Sequence, residues 1–203
     1  MVVRKPALPA SEPADWARWT DRFNVLSGEW LRMRNPTEQA WFALGPDGLR
    51  LTARADAPGG RGQPAFLGRR LRHPAATYTS RLAFEPVADG DFAGLLALID
   101  ENHFLAVGVE QFGGARMLTV RMRSAADQAE AGEVIASAPL AHRGELELSL
   151  AIDRGRADLA WRPAGAQAWQ PVAQEIDVEH MSSIHSGLFT GVLVGPYAFS
   201  PEP

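Results

Sequence analysis

The feature that most constrains this chain is an apolar alternation with a period of two. Over residues 145–153, Leu146, Leu148, Leu150 and Ile152 alternate with Glu145, Glu147, Ser149 and Asp153. Successive side chains of an extended strand leave opposite faces, so this run has one apolar face and one solvated face. A helix would spread the same apolar residues around most of its circumference. Tyr78, Ser80, Leu82 and Phe84 form a second such face, opposite Thr77, Thr79, Arg81 and Glu85. In a third run, Met117, Thr119, Arg121 and Arg123 oppose Leu118, Val120 and Met122. Residues 92–99 and 188–194 are more continuously apolar, the pattern of strands covered on both faces.

Turn signals separate these runs: Gly45-Pro46-Asp47-Gly48, Pro58-Gly59-Gly60, Asp89-Gly90-Asp91, Gly113-Gly114 and Asp153-Arg154-Gly155. The spacing predicts roughly a dozen strands joined by hairpins, with almost no room for crossover helices. This pattern specifies an all-β antiparallel sandwich rather than a parallel α/β sheet. Residues 125–132 read as a loop, and no repeat of propeller or solenoid period is present. Ahead of the alternating region, Pro6, Pro9 and Pro13 mark an extended segment. The division expected is a linker over residues 1–22 and a sandwich domain over 23–203. Trp16, Trp19 and Phe23 allow two readings: a short helix capped by Ser11 or Asp15, or aromatic anchors holding a tail on a neighbouring surface.

Composition narrows the function classes. A chain of 203 residues buries enough surface to need no covalent staples. It has no cysteine, so disulfides and thiolate metal sites are excluded. The formal charge of −4 comes from 20 basic and 24 acidic residues scattered in both signs; no basic stripe exists to neutralise a phosphate backbone, which argues against nucleic acid. No apolar stretch has the length of a signal-peptide core or a membrane span. The expectation is a soluble, cytoplasmic protein.

Neither a phosphate-binding glycine loop, a serine nucleophile elbow nor a zinc-helix motif is present. The histidines His73, His103, His142, His180 and His185 are not spaced as metal ligands, and a structural role is expected for each. No cofactor or metal is implied; calcium is left open, since the acidic turns could bind it but none has a recognisable oxygen-ligand loop pattern. One run does suggest chemistry. Glu175, Asp177 and Glu179 stand at i, i+2 and i+4, and on a regular strand all three would project from one face. Retaining glycosidases need two carboxyl groups about 5–5.5 Å apart, and Asp177 between the glutamates would tune both. The run looks like the catalytic signature of family 16 glucanases, which makes Glu175, Asp177 and Glu179 the alternative catalytic set. Its flank, His180-Met181-Ser182-Ser183, supplies no aromatic platform for a sugar, so this stays the runner-up.

A second resemblance covers far more of the chain. Trp30, Arg34, Asn35 and Pro36 resemble the W-x-x-x-R-N-P segment that opens the C-terminal sandwich of family 43 β-xylosidases. Gly48 to Leu51 resembles the next strand of that domain. Phe66, Gly68, Arg69, Arg70 and His73 look like its F-x-G-R-R-Q-x-H segment, with Leu71 in place of the usual Gln. Phe84-Glu85-Pro86, Ala93-Gly94-Leu95 and Phe189-Thr190-Gly191, then Gly195, Tyr197 and Ala198, follow in the family's order.

The resemblance implies a concanavalin A-like sandwich that packs against a catalytic five-bladed propeller, the propeller cleaving xylosides and arabinosides. It implies that Phe189 reaches the edge of the sugar pocket, so Phe189 is the candidate substrate-binding residue. The stretch ahead of Trp30 is too short to be a propeller, so that partner is expected in trans, or in cis in a longer chain. The family's closing A-x-F-D-W-F-x-Y strand is also not found, which predicts an unpaired sheet edge. The principal reading is an accessory domain with no turnover of its own, meeting xylo-oligosaccharide-type sugars through its partner. The alternative is a carbohydrate-binding module using Trp41, Trp161 or Trp169 as platforms. The open edge, with Trp16 and Trp19, also invites a homo-oligomer.

Overall fold

The computed structural model describes residues 18–34, 41–187 and 190–203. Thirteen strands form among them: β1 (Leu31–Arg32), β2 (Phe42–Gly45), β3 (Gly48–Leu51), β4 (Ala65–Arg70), β5 (Ala75–Leu82), β6 (Phe92–Asp100), β7 (His103–Phe112), β8 (Ala115–Arg123), β9 (Glu133–Pro139), β10 (Leu146–Asp153), β11 (Arg156–Pro163), β12 (Gln170–Asp177) and β13 (Leu193–Phe199). A 3-10 turn at Glu179–Met181 and the four-residue helix α1 (Ser183–Ser186) are the helical pieces among the described residues. The strands make a seven-stranded sheet in the order β1-β4-β13-β6-β7-β8-β9, a four-stranded sheet β12-β11-β10-β5, and the hairpin β2-β3. All the strand pairings are antiparallel. This is the antiparallel sandwich that the alternation predicts.

Local chemistry sets the hairpins. Gly113 and Gly114, at φ 60° and 75°, join β7 to β8 between the paired Phe112 and Ala115. Arg154 and Gly155, at φ 45° and 88°, join β10 to β11 between Asp153 and Arg156. Two consecutive positive φ values match the right-handed twist of the flanking strands.

The main core lies between the two larger sheets. Leu146, Leu148 and Leu150 of β10 and Leu159 of β11 meet Leu105, Val107, Leu118 and Val120 of β7 and β8, all buried. Each fully buried aliphatic side chain of this kind contributes about 1.5–3 kcal/mol. A second cluster, including Phe66, Phe92, Leu96, Phe104 and Tyr197, fills the opposite face of the seven-stranded sheet. Loops cover it there: Gly59 N–H donates to Glu130 O at 2.9 Å. The buried Arg123 guanidinium donates to the carbonyls of Gly59, Ala125 and Ala126 at 2.8, 3.2 and 2.7 Å. Nearby Glu110, only 1% exposed, accepts from Arg121 Nε at 3.1 Å and also from its Nη2. A third cluster around Trp30, Trp41 and Leu67 is closed by the β2-β3 hairpin and by Phe23 and Leu26.

Three sequence expectations need correction. β8 is not half-solvated: Thr119, Arg121 and Arg123 face the covered side, where the Arg121–Glu110 ion pair and loop carbonyls replace water around the two guanidinium groups and the Thr119 hydroxyl is buried without a hydrogen bond. The last strand starts at Leu193, near the end of the apolar run 188–194, and continues to Phe199; residues 190–192 carry no regular structure and run beside the β4–β5 connection, Val192 O accepting from Leu71 N–H. The described part of the first aromatic segment is not helical. Instead Asp21 accepts from Phe23 N–H and Trp30 Nε1, each at 2.7 Å, and Trp19 and Phe23 pack on the Trp30 ring. The anchoring alternative is the one realised there; Trp16, Ser11 and Asp15 lie outside the described residues. β5 forms an edge whose strand partner among the described residues is β10.

Candidate functional site

The Glu175, Asp177 and Glu179 run does not share one strand face. β12 carries a bulge opposite Asp158: Ala157 pairs with Ile176 but Leu159 pairs with Ala173. Glu175 sits in that bulge at φ 54°, its N–H donating to Asp158 Oδ1 at 2.9 Å. An extra residue breaks the two-residue period. Asp177 ends the strand, pairing with Arg156 at 3.5 Å and accepting from Glu179 N–H at 3.0 Å. Glu179 belongs to the 3-10 turn, where its stem lies against Gly155. All three are exposed, so no enclosed surrounding separates an acid from a nucleophile.

The tryptophan platforms are likewise absorbed. Trp41 is 3% exposed in the third cluster. Trp161 is half-buried against the main core, and Trp169 lies under the Arg162 guanidinium, 4.2 Å from its ring centroid.

A different place gathers convergent polar groups. At one end of the sandwich, residues 71–74 leave β4 for β5 and run beside residues 190–192, which enter β13. Leu71 N–H donates to Val192 O at 2.8 Å. Between these segments lies an open depression of about 310 Å³, lined by Leu71, Arg72, His73, Ile99, Met181, Ser183, Thr190 and Gly191 among others. Its wall is built by a short local program. Val178 and Met181 are buried and fix the 3-10 turn in the main core. Ser182 then caps α1 through its hydroxyl, and Gly187 closes the helix in the left-handed conformation. Beneath that wall the His180 ring lies 6.1 Å from the His103 ring, and its Nε2 is buried without a hydrogen bond. Burial, and secondarily the His103 charge, pushes the His180 pKa down, against the opposing pull of Asp177 and Asp100.

The rim is cationic. Glu29 pairs with both Arg69 and Arg72. Arg69 is stacked 3.7 Å from the centroid of the Trp19 ring. Burial raises the neighbouring Tyr78 pKa, with the charges of Arg69 and Arg72 acting the other way. Arg70 is exposed and donates from Nη1 to Thr190 Oγ1 at 3.2 Å; no carboxylate among the described residues is within ion-pair distance of it. Phe189 lies outside the described residues; its sequence neighbour Thr190 lines the depression. The role of Arg70 and of the Met181 wall was not assigned from sequence. The available signal was the run Arg69-Arg70-Leu71-Arg72-His73, basic in an acidic chain.

Known proteins sharpen the picture. Residues 20–203 match the family described as the beta xylosidase C-terminal concanavalin A-like domain. The chain is 26% identical over 177 residues to a non-reducing end alpha-L-arabinofuranosidase, BoGH43B, of Bacteroides ovatus, a match covering 86% of this chain and 32% of that protein. Among solved structures, it superposes on the xylan beta-1,4-xylosidase of Bacillus halodurans with a TM-score of 0.83 and 24% identity, covering 97% of this chain and 38% of that one. The GH43 protein BlXynB of Bacillus licheniformis gives a TM-score of 0.81 at 22% identity, with the same 97% and 38% coverage. The chain thus spans about a third of the length of these relatives. With the match running from residue 20 to the last residue and the sandwich shared, the chain belongs to the family of β-xylosidase C-terminal concanavalin A-like domains.

Proposed function

We propose that this sandwich is the accessory domain of a xylosidase- or arabinofuranosidase-type glycoside hydrolase, completing the edge of a sugar pocket whose catalytic carboxylates lie on a separate propeller. The observation that carries this reading is the family match over residues 20–203. The open, cationic end of the sandwich supports it, because Thr190, the sequence neighbour of Phe189, lines the depression there. Phe189 is the side chain proposed to contact sugar. An aromatic ring there would stack on the apolar face of a pyranose and keep water from the subsite. The exposed and dispersed Glu175, Asp177 and Glu179 take no part in this mechanism, and the buried Trp41 favours no free-standing sugar-binding face.

The test is hydrolysis of an aryl xyloside or aryl arabinofuranoside. The isolated chain is expected to give no turnover, and a GH43 propeller lacking its own sandwich should regain activity when this chain is added or fused. Phe189→Ala should then raise KM and lower kcat/KM in the reconstituted enzyme. Turnover of the aryl glycosides by the isolated chain would contradict this account, and cleavage of a β-glucan by it, abolished by Glu175→Gln, would replace it with the glucanase-like one.

A further inference from the structure

The depression at residues 71–74 and 190–192 has the composition of a ligand site in its own right. Pockets for small molecules begin at about 300 Å³ and combine an apolar floor with a few convergent polar groups. Here the apolar contribution comes from Leu71, Ile99, Met181 and Val192, and the hydroxyls from Ser183 and Thr190. Arg72 lines the same space, and Arg70 stands at its rim, bonded to Thr190. An apolar floor suits the C–H face of a pyranose, and hydroxyls suit its own hydroxyl groups. Neither explains two guanidinium groups, whose planar fork is built for a carboxylate. Glu29 already balances Arg72, sharing itself with Arg69, but Arg70 has no carboxylate within ion-pair distance among the described residues.

We propose that this depression binds an anionic sugar, a hexuronic acid residue, with its carboxylate held by Arg70 and Arg72 and its ring seated on Leu71, Ile99 and Met181. The proposal rests on the carbohydrate reading above and adds a ligand class to it. In an assembled hydrolase, such a site would place acid-substituted sugar chains beside the neutral sugar being cleaved. No chemical step is involved: the site binds and positions.

The experiment is an amide NMR titration of the full 203-residue chain with methyl β-glucuronide, methyl β-glucoside, methyl β-xyloside and sodium acetate. The first three differ at the sugar C5 substituent: carboxylate, hydroxymethyl or hydrogen. Saturable shifts at Leu71, Thr190 and Gly191 are expected with the glucuronide, at a Kd at least tenfold below that for the glucoside or xyloside. Arg70→Gln and Arg72→Gln should each weaken the glucuronide at least fivefold. Ser183→Trp, which fills the depression from an exposed position without altering charge, should abolish binding. Equal affinity for glucuronide and glucoside, acetate binding as tightly as glucuronide, or shifts confined to another surface would each overturn the proposal. Failure here leaves the propeller reconstitution unaffected, so the two readings fail separately.

Discussion

The two large sheets of this molecule are built from the same kind of strand but live in different surroundings. The four-stranded sheet has one buried face and one solvated face, and β10 shows it as strict alternation of burial. The middle of the seven-stranded sheet is buried on both faces: all but the last residue of β6 is enclosed, with one cluster between the sheets and another beneath the loops, while the edge strand β9 alternates. This burial decides where a ligand can and cannot reach. A broad sheet face that could present sugar platforms is filled by aromatic side chains and covered by loops fastened through Arg123. The other outer face is a solvated surface. What remains is an end of the sandwich, where β4 leaves and β13 enters, and that is where the open depression lies.

The enclosed polar groups of the seven-stranded sheet carry the largest expected effects. Arg121→Ala leaves Glu110 buried without its partner, and an uncompensated buried charge costs about 3–5 kcal/mol. Urea denaturation should register that loss, whereas an unchanged midpoint would mean that water reaches Glu110. Arg123→Ala should cost less, about 1.5–3 kcal/mol, the scale of a hydrogen bond to a charged group. It should also speed hydrogen exchange at Gly59 and across residues 124–132 while leaving β10 protected.

A smaller, pH-dependent effect comes from the wall of the depression. His180 has a folded pKa below its ordinary 6.5, through burial first and the His103 charge second. The folded state therefore resists protonation. Its stability relative to the unfolded chain is unaffected by this residue well above pH 6.5, and falls as the pH drops through 6.5 towards the folded value. His180→Gln should flatten that part of the stability profile, and thermal melts from pH 8 to 5 would show whether it does. The smallest effect is predicted on the solvated face. Ser149→Ala should change stability by no more than about 0.5 kcal/mol, and a larger loss would mean that this face is covered in solution.

Much of the fold was legible because period-two patterning and turn residues are local properties. β10, the glycine turn between β7 and β8, and the near-absence of helix follow from them directly. β8 was harder. Its Thr119, Arg121 and Arg123 look solvated in sequence, and only the distant Glu110, Gly59 and Gly132 offset the burial of the two arginines. The bulge at Glu175 was also hidden, since it is Asp158 on the neighbouring strand that accepts from the Glu175 N–H. That extra residue, together with the strand ending at Asp177 before the 3-10 turn of Glu179, is why three carboxylates with perfect spacing do not converge. The depression was invisible because its walls come from residues 71–74, Ile99, Met181, Ser183 and 190–192, which are brought together by strand pairing and not by sequence proximity.

The central claim is that the functional contact is made by this end and by neither sheet face. Hydrogen exchange of the chain with and without a GH43 propeller tests it most directly. The account predicts new protection confined to residues 69–74 and 183–192, with the outer face of β5, β10 and β11 unchanged. Protection centred on that outer face, with the end of the sandwich still exchanging freely, would contradict it.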